Sequence, residues 1–314
     1  MLIVAIVLLS LIDLSNGVYS MDVFNAFTSV DKIVLFNMRL PKTLTCFLVG
    51  ACLGLSGLCM QNILKNPIAS PFTLGISSAA SFGASLSILT GFPFLIPNYN
   101  IQFGSILFSF IGCALITVFL VGRQATANRM VLIGVAVNFF FSALQAFAQY
   151  AANERDSQKI VTWIFGSISR STWDGVLIIS LGLFIALPLI YKESWKVNLL
   201  MFSDEKAQSM GIQTTRLRIY IFLLTSFVTA IAISYVGTIG FIGLLAPHFS
   251  RLLVGNDFRY SCITSILFGS LLLLLASVIS KNILPGTIIP VGIITSIVGV
   301  PFMCVVAWKG GKTY

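Results

Sequence analysis

Charged residues are scarce in this chain: 19 basic and 10 acidic side chains in 314 residues, 9% in all, against about 25% in soluble globular domains. That scarcity excludes an ordinary soluble fold. There is a single histidine, His248, and no His, Asp or Glu group with ligand spacing lies within an apolar run. A catalytic metal centre or acid–base dyad therefore lacks its parts, and His248, in "APHFSR", reads as a packed helix-start residue. Acids are missing from the middle of the apolar runs as well. Only Asp13 and Asp174 come near them, both at ends, which argues against a carrier that couples substrate to protons or sodium through intramembrane carboxylates. The six cysteines form no C-x-x-C pair and sit in apolar runs as small core residues. The "GGKT" near the end resembles the tail of a phosphate-binding loop, but the first glycine of that loop would fall at Val306. Nucleotide energy, if used, is expected from another polypeptide. No catalytic residue, resident metal or cofactor is expected.

What the chain has in abundance is apolar sequence: 57% hydrophobic residues, 26 of them Phe, and a mean hydropathy of +0.98. A membrane span needs about 20 apolar residues. The runs at about 2–16, 42–62, 72–90, 104–121, 130–150, 174–191, 219–236, 240–254, 261–280 and 287–308 supply about ten. The fold expected is all-α, a polytopic membrane protein forming one transmembrane domain over residues 1–314. "MLIVAIVLLSL" lacks the basic flank and cleavage site of a signal peptide and reads as a first span. The net charge of +9 is spread over loops, so it speaks of topology rather than nucleic acid. With loops sorted alternately from an inside N-terminus, twelve basic residues fall on one side, Lys65, Arg129, Lys206, Arg216 and Arg218 among them, and seven on the other. The positive-inside rule then places both termini in the cytoplasm.

Four local patterns stand out. Asn138, Ser142, Gln145 and Gln149 recur at steps of four, three and four, drawing one polar stripe on an otherwise apolar helix. Amides facing lipid are costly, so the stripe reads either as interhelical hydrogen bonding or as the wall of a pathway. In "VGTIGFIGLLAP", Gly237, Gly240 and Gly243 recur every three residues ahead of Pro247, a broken or re-entrant element tolerable only inside protein. Gly50 and Gly54, with Gly57 close by, and Gly292 and Gly299 indicate tight helix packing. The fourth pattern is "SDEKAQSMG". Ser203 suits an N-cap, Asp204 and Glu205 the first turn and Gly211 a C-cap, so about two turns are signalled. A helix that short is marginal alone in water and needs a partner.

Six stretches, taken in order, resemble the permease family of type II ABC importers for ferric siderophores, haem and vitamin B12. They are "RLPKT" (Arg39 to Thr43), "QNILKNPIASPFTLGISSAA" (Gln61 to Ala80), "WIFGSIS" (Trp163 to Ser169), "SDEKAQSMGI" (Ser203 to Ile212), "GTIGFIGLLAPHFSRLLVGNDFR" (Gly237 to Arg259) and "IPVGIITSIVGVPF" (Ile289 to Phe302). Each alone is weak, and the ordered set is specific.

The resemblance implies ten transmembrane helices, a second permease subunit (identical or paralogous), two cytoplasmic ATPases that bind the ATP, and an extracytoplasmic substrate-binding protein. It places the chain in a bacterial inner or plasma membrane, with iron carried inside its chelate. It casts Ser203, Asp204, Glu205, Lys206, Ala207, Met210 and Gly211 as a coupling helix that seats on the ATPase. There, Asp204, Glu205 and Lys206 are exposed interface and cap residues, and Ala207 and Met210 face the partner or the bundle. Asn66, Pro67 and Ile68 match a cytoplasmic gate, Arg39, Lys42 and Lys281 match basic positions that meet the binding protein, and the polar stripe falls on a helix that lines the pathway. The chain departs from the family at Ser277 and Ile288, where acids are usual, at Ser203 for a usual Gly, and at Lys42 and Lys281, where Arg is common. The substrate expected is a ferric siderophore, with vitamin B12 or haem as the alternative. A standalone secondary transporter and an intramembrane enzyme are the rival classes.

Overall fold

The computed structural model describes residues 2–16, 29–91, 99–120, 125–284 and 287–310. Arg123 and Lys312, two of the cations counted on the inner side, lie outside them. Every regular element among the described residues is helical. In order they are α1 (Leu2–Ser15), α2 (Ser29–Ile33), a π-helical turn (Val34–Arg39), α3 (Leu40–Leu64), α4 (Ile76–Thr90), α5 (Asn100–Leu120), α6 (Ala127–Ala151) and α7 (Glu154–Ile164). Then follow α8 (Trp173–Lys192), α9 (Ser194–Leu200), α10 (Asp204–Ser209), α11 (Thr214–Val236), α12 (Ile242–Val254), α13 (Phe258–Asn282) and α14 (Val291–Gly310).

Six of these are long and apolar enough to cross a membrane: Val30–Leu64, which joins the end of α2, the π turn and α3, and then α5, α6, α8, α11 and α13. Four shorter apolar helices, α1, α4, α12 and α14, stand where the other spans were expected. The second span was expected to begin near residue 42, yet helix runs unbroken from Ser29. Pro41 lies in its path. A proline ring presses on the carbonyl four residues back and removes one N–H donor, and the chain accommodates it by widening the preceding turn to π geometry.

α3 is buried almost throughout and α11 for most of its length, whereas α6 and α8 leave most of their surface open. Glycine allows the centre to close. A Cβ on Gly50 or Gly54 would overlap the α13 carbonyls of Gly269 or Ser265, and one on Gly57 would overlap the α12 carbonyl of Gly243, so α3 meets both neighbours backbone to backbone. The bundle has two ends. At one lie Leu64, α9, α10 and the start of α11; at the other lie the end of α1, the π turn, α7 and the end of α13.

The glycine-rich break between α11 and α12 is the buried irregular element that its sequence suggested. Gly237 ends α11 at φ 79° and Phe241 starts α12 at φ 66°. The freed backbone groups are met from within: Ser167 N–H donates to Val236 O at 2.7 Å, and Thr238 Oγ1 donates to Ile164 O. α7 was not anticipated. It is amphipathic, with Asn153 capping Asp156 N–H at 2.9 Å, Ile160 and Trp163 turned inward, and Lys159 paired with Asp156 on the outer face.

Candidate functional site

The α10 end carries a dense polar construction. Ser203 Oγ accepts from Lys206 N–H at 3.2 Å, capping α10, and Gly211 closes it in the left-handed region at φ 82°, where Ile212 N–H reaches back to Ala207 O at 3.1 Å. Ala207 is 1% exposed and packs on the bundle, while Glu205, Lys206, Gln208 and Met210 face outward. Asp204 departs from the expected interface role because it is drawn inward. Arg218, on α11 and only 1% exposed, donates Nη1 and Nη2 to the two Asp204 carboxylate oxygens at 2.6 and 2.8 Å. The same guanidinium reaches Ile63 O at the end of α3 (2.9 Å) and Ala125 O ahead of α6 (3.1 Å). A planar fork with five donors suits this work, and a lysine there would lose most of it. The Arg218 bonds, assisted by Lys65, hold the Asp204 carboxyl well below the usual carboxylate range.

Lys65 ties in the expected gate. Its Nζ donates to Asp204 Oδ1 at 2.8 Å and to Phe202 O, and the residue itself turns the chain out of α3 at φ 50°. Asn66 follows: its Oδ1 accepts from Ile68 N–H at 2.9 Å, so Pro67 and Ile68 stand exposed on a fixed turn beside α10. Sequence reasoning placed the gate and the coupling helix on the same side. The link between them, Asp204 to Lys65 and Arg218, was missed because both cations were counted as loop charges.

The stripe on α6 lies between two environments. Val137, Phe141 and Ala148 are buried, and each is followed at once by a stripe residue, Asn138, Ser142 or Gln149, about 100° around the helix and half-buried. Gln145 Nε2 donates to Gln149 Oε1 at 3.3 Å, and Phe139, Phe140 and Phe147 are exposed beside them. The stripe thus borders an unpartnered, Phe-rich surface.

With this geometry in place, comparison with known proteins decides the family. The sequence matches the profile of the FecCD transport family over residues 2–309. The chain belongs to the FecCD transport family. An iron chelatin transport system permease of Helicobacter pylori is 38% identical over 275 residues, covering 86% of this chain and 81% of that one. The molybdate import system permease MolB of Haemophilus influenzae is 32% identical over 282 residues, covering 89% and 82%. A solved structure described as an inward-facing conformation of a metal-chelate type ABC transporter superposes with a TM-score of 0.90 at 31% identity, covering 98% of this chain and 97% of that chain. This FecCD-family protein is a multi-pass permease subunit of an ABC importer.

At the opposite end of the FecCD permease, two of the three cations expected to meet a binding protein are turned inward. Arg39 Nη1 donates to Leu14 O and Ser15 O at 2.6 and 2.8 Å, satisfying the last carbonyls of α1. Lys281 Nζ donates to Asp13 Oδ1 at 2.7 Å and to Asp13 O at 3.0 Å. Asp13, fully buried, also accepts from Thr43 Oγ1 (2.6 Å) and Ser277 Oγ (2.7 Å). Ser277, which departs from the family's usual acid, therefore has its acid supplied by α1. Of the three cations, Lys42 alone makes no hydrogen bond into this cluster among the described residues, and it is half-buried at the rim.

Proposed function

We propose that this permease moves a ferric siderophore into the cell as one of two permease subunits, driven by two ATPase subunits docked on α10 and supplied by an extracytoplasmic binding protein. The observation that carries the reading is the mounting of α10. A two-turn helix shows Glu205, Lys206, Gln208 and Met210 outward while a buried arginine fastens it to α3, to α11 and to the segment before α6. Closure of the ATPases would displace α10, and Arg218 and Lys65 would pass the displacement to the Asn66–Ile68 turn and to α3. The gate would then shift by rigid-body movement. No bond in the substrate need break.

The pathway assigned to Asn138, Ser142, Gln145 and Gln149 is uncharged, and among the described residues no three His, Cys, Asp or Glu side chains gather as metal ligands. Amides and hydroxyls can solvate a bulky chelate without holding it in a deep electrostatic well, so iron is read as travelling inside its chelate. The ten apolar helices are taken to be ten spans, with α10 and both termini cytoplasmic. Docking of the binding protein is assigned to Lys42, with Arg39 and Lys281 shaping the rim from beneath.

The test is uptake by the intact system in proteoliposomes containing ATP, offered a ferric siderophore, haem, vitamin B12 and molybdate separately. Uptake of the siderophore alone is expected. Preference for molybdate, the cargo in the name of the Haemophilus influenzae relative, would overturn the substrate assignment. Uptake without ATP, or a purified complex lacking an ATPase subunit, would overturn the importer assignment for this chain.

A further inference from the structure

Beside α10 a groove of about 720 Å³ opens at the inner end of α11, within the roughly 300–1,000 Å³ of small-ligand sites. Its two halves differ in chemistry. Toward the α10–α11 linker lie Gln213 and Arg216; toward the bilayer lie Leu120 at the end of α5 and Ile219, Tyr220 and Leu223 on α11. Ile219 and Leu223 are one turn apart, so they form a continuous apolar strip rising from Arg216. Arg216 is exposed and makes no hydrogen bond or ion pair among the described residues. That sets it apart from its neighbour Arg218, whose fork is filled. Tyr220 and Leu223 are 37% and 42% exposed, and Val118 and Phe119, just before Leu120, are more open still. The apolar half is thus continuous with bare helix surface.

We infer that this groove holds an anionic phospholipid of the inner leaflet, its phosphate on Arg216 and an acyl chain along Ile219 and Leu223. A cation at the level of helix starts with an apolar strip rising from it complements a headgroup and chain, and a cation near an anionic leaflet adds to the attraction. An extended protein segment would leave its backbone N–H and C=O groups unmet along Ile219 and Leu223, whereas an acyl chain has none to satisfy. The site also adjoins the coupling element. Gln208, on α10, lines the groove and donates to Thr214 Oγ1 at 3.1 Å, so a seated headgroup braces the joint between α10 and α11. This second consequence rests on the docking role of α10; the lipid site rests only on α10 lying at the cytoplasmic side.

The experiment uses the full-length permease extracted from vesicles of phosphatidylethanolamine with phosphatidylglycerol, with retained lipid counted by native mass spectrometry. The wild type should keep phosphatidylglycerol in preference to phosphatidylethanolamine. Arg216→Glu should lower that retention on the order of tenfold, Arg216→Lys should keep it, and Leu223→Trp, which fills the strip, should lower it without altering charge. Equal retention of the two lipids by the wild type, or wild-type retention by Arg216→Glu, overturns the site. Displacement of the lipid by added ATPase subunits would show a protein surface and overturn it too. For the assembled importer, substrate-stimulated ATP hydrolysis should fall for Arg216→Glu in the mixed vesicles and match the wild type in phosphatidylethanolamine alone. A loss in both would overturn the bracing role and leave the retention result standing.

Discussion

The two ends of the bundle are each closed by a buried charge cluster, and the clusters are built in opposite senses. At the α10 end the cation is the buried member: Arg218 is 1% exposed and its acid, Asp204, is 31% exposed. At the other end the acid is buried, with Asp13 at 0% and Lys281 at 11%. An arginine hub can gather backbone carbonyls, which every segment offers, so it fastens α3, α10 and the segment before α6 at once. An aspartate hub accepts only from donors that the sequence must place, here Thr43, Ser277 and Lys281, so it fastens α1 specifically to α3 and α13. Beyond its own ion pair, the Arg218 hub reaches out to backbone, whereas the Asp13 carboxylate is met by side chains.

The comparison breaks most sharply at Arg218. Arg218→Met should destabilise the permease by about 2–5 kcal/mol, since it leaves two carbonyls unmet, each costing about 1–3 kcal/mol when buried, and leaves the Asp204 carboxylate to Lys65 alone. The melting temperature of the purified protein should fall by several degrees, and an unchanged melting curve would refute the hub. Asp13→Asn should cost less, about 1.5–3 kcal/mol for the lost charged hydrogen bonds, because Lys281 can swing its ammonium toward the headgroups. Adding Lys281→Met to Asp13→Asn should recover part of that loss, and an additive double variant would show that the pair does not act as a unit.

Acid sharpens the contrast at Asp204. Its carboxyl titrates below the ordinary 3.8, chiefly because Arg218 bonds the charged form. The sign follows: the stabilisation is complete above about pH 5 and is lost as pH falls from there through the depressed value. The pH dependence of melting between about pH 5 and 8 should therefore carry nothing from Asp204, and Asp204→Asn should lower stability by a constant amount across that range. A loss that grew between pH 8 and 5 would contradict the pairing. The smallest effect is expected at Lys65→Ala, about 0.2–1 kcal/mol for a partly exposed pair. Transport should suffer more than stability if Lys65 links α10 to the gate.

Ten apolar helices and the capped two-turn α10 were legible because spans and caps are local: each is written in consecutive residues. The charge clusters were not. Asp13 and Lys281 are 268 residues apart, and nothing near either announces the other. Arg39 and Lys281 accordingly read as rim cations, and Arg218 as one more inner-side charge. α7 escaped for a different reason. A search for apolar runs passes over a polar helix, although the Asn153 cap and the inward pair Ile160 and Trp163 carried its signature.

α3 takes part in both clusters, through Thr43 near its start and the Ile63 carbonyl near its end. It is 25 residues long, a rod of roughly 37 Å at 1.5 Å per residue. Where its glycines touch α13 and α12, backbone rests on backbone, and there are no long side chains to bend or slide. Such a member behaves as a strut in compression: it has almost no internal slack, so load applied at one joint arrives at the other as translation or tilt. Within this chain, give is then expected in the helices that share least surface with the rest, α6 and α8.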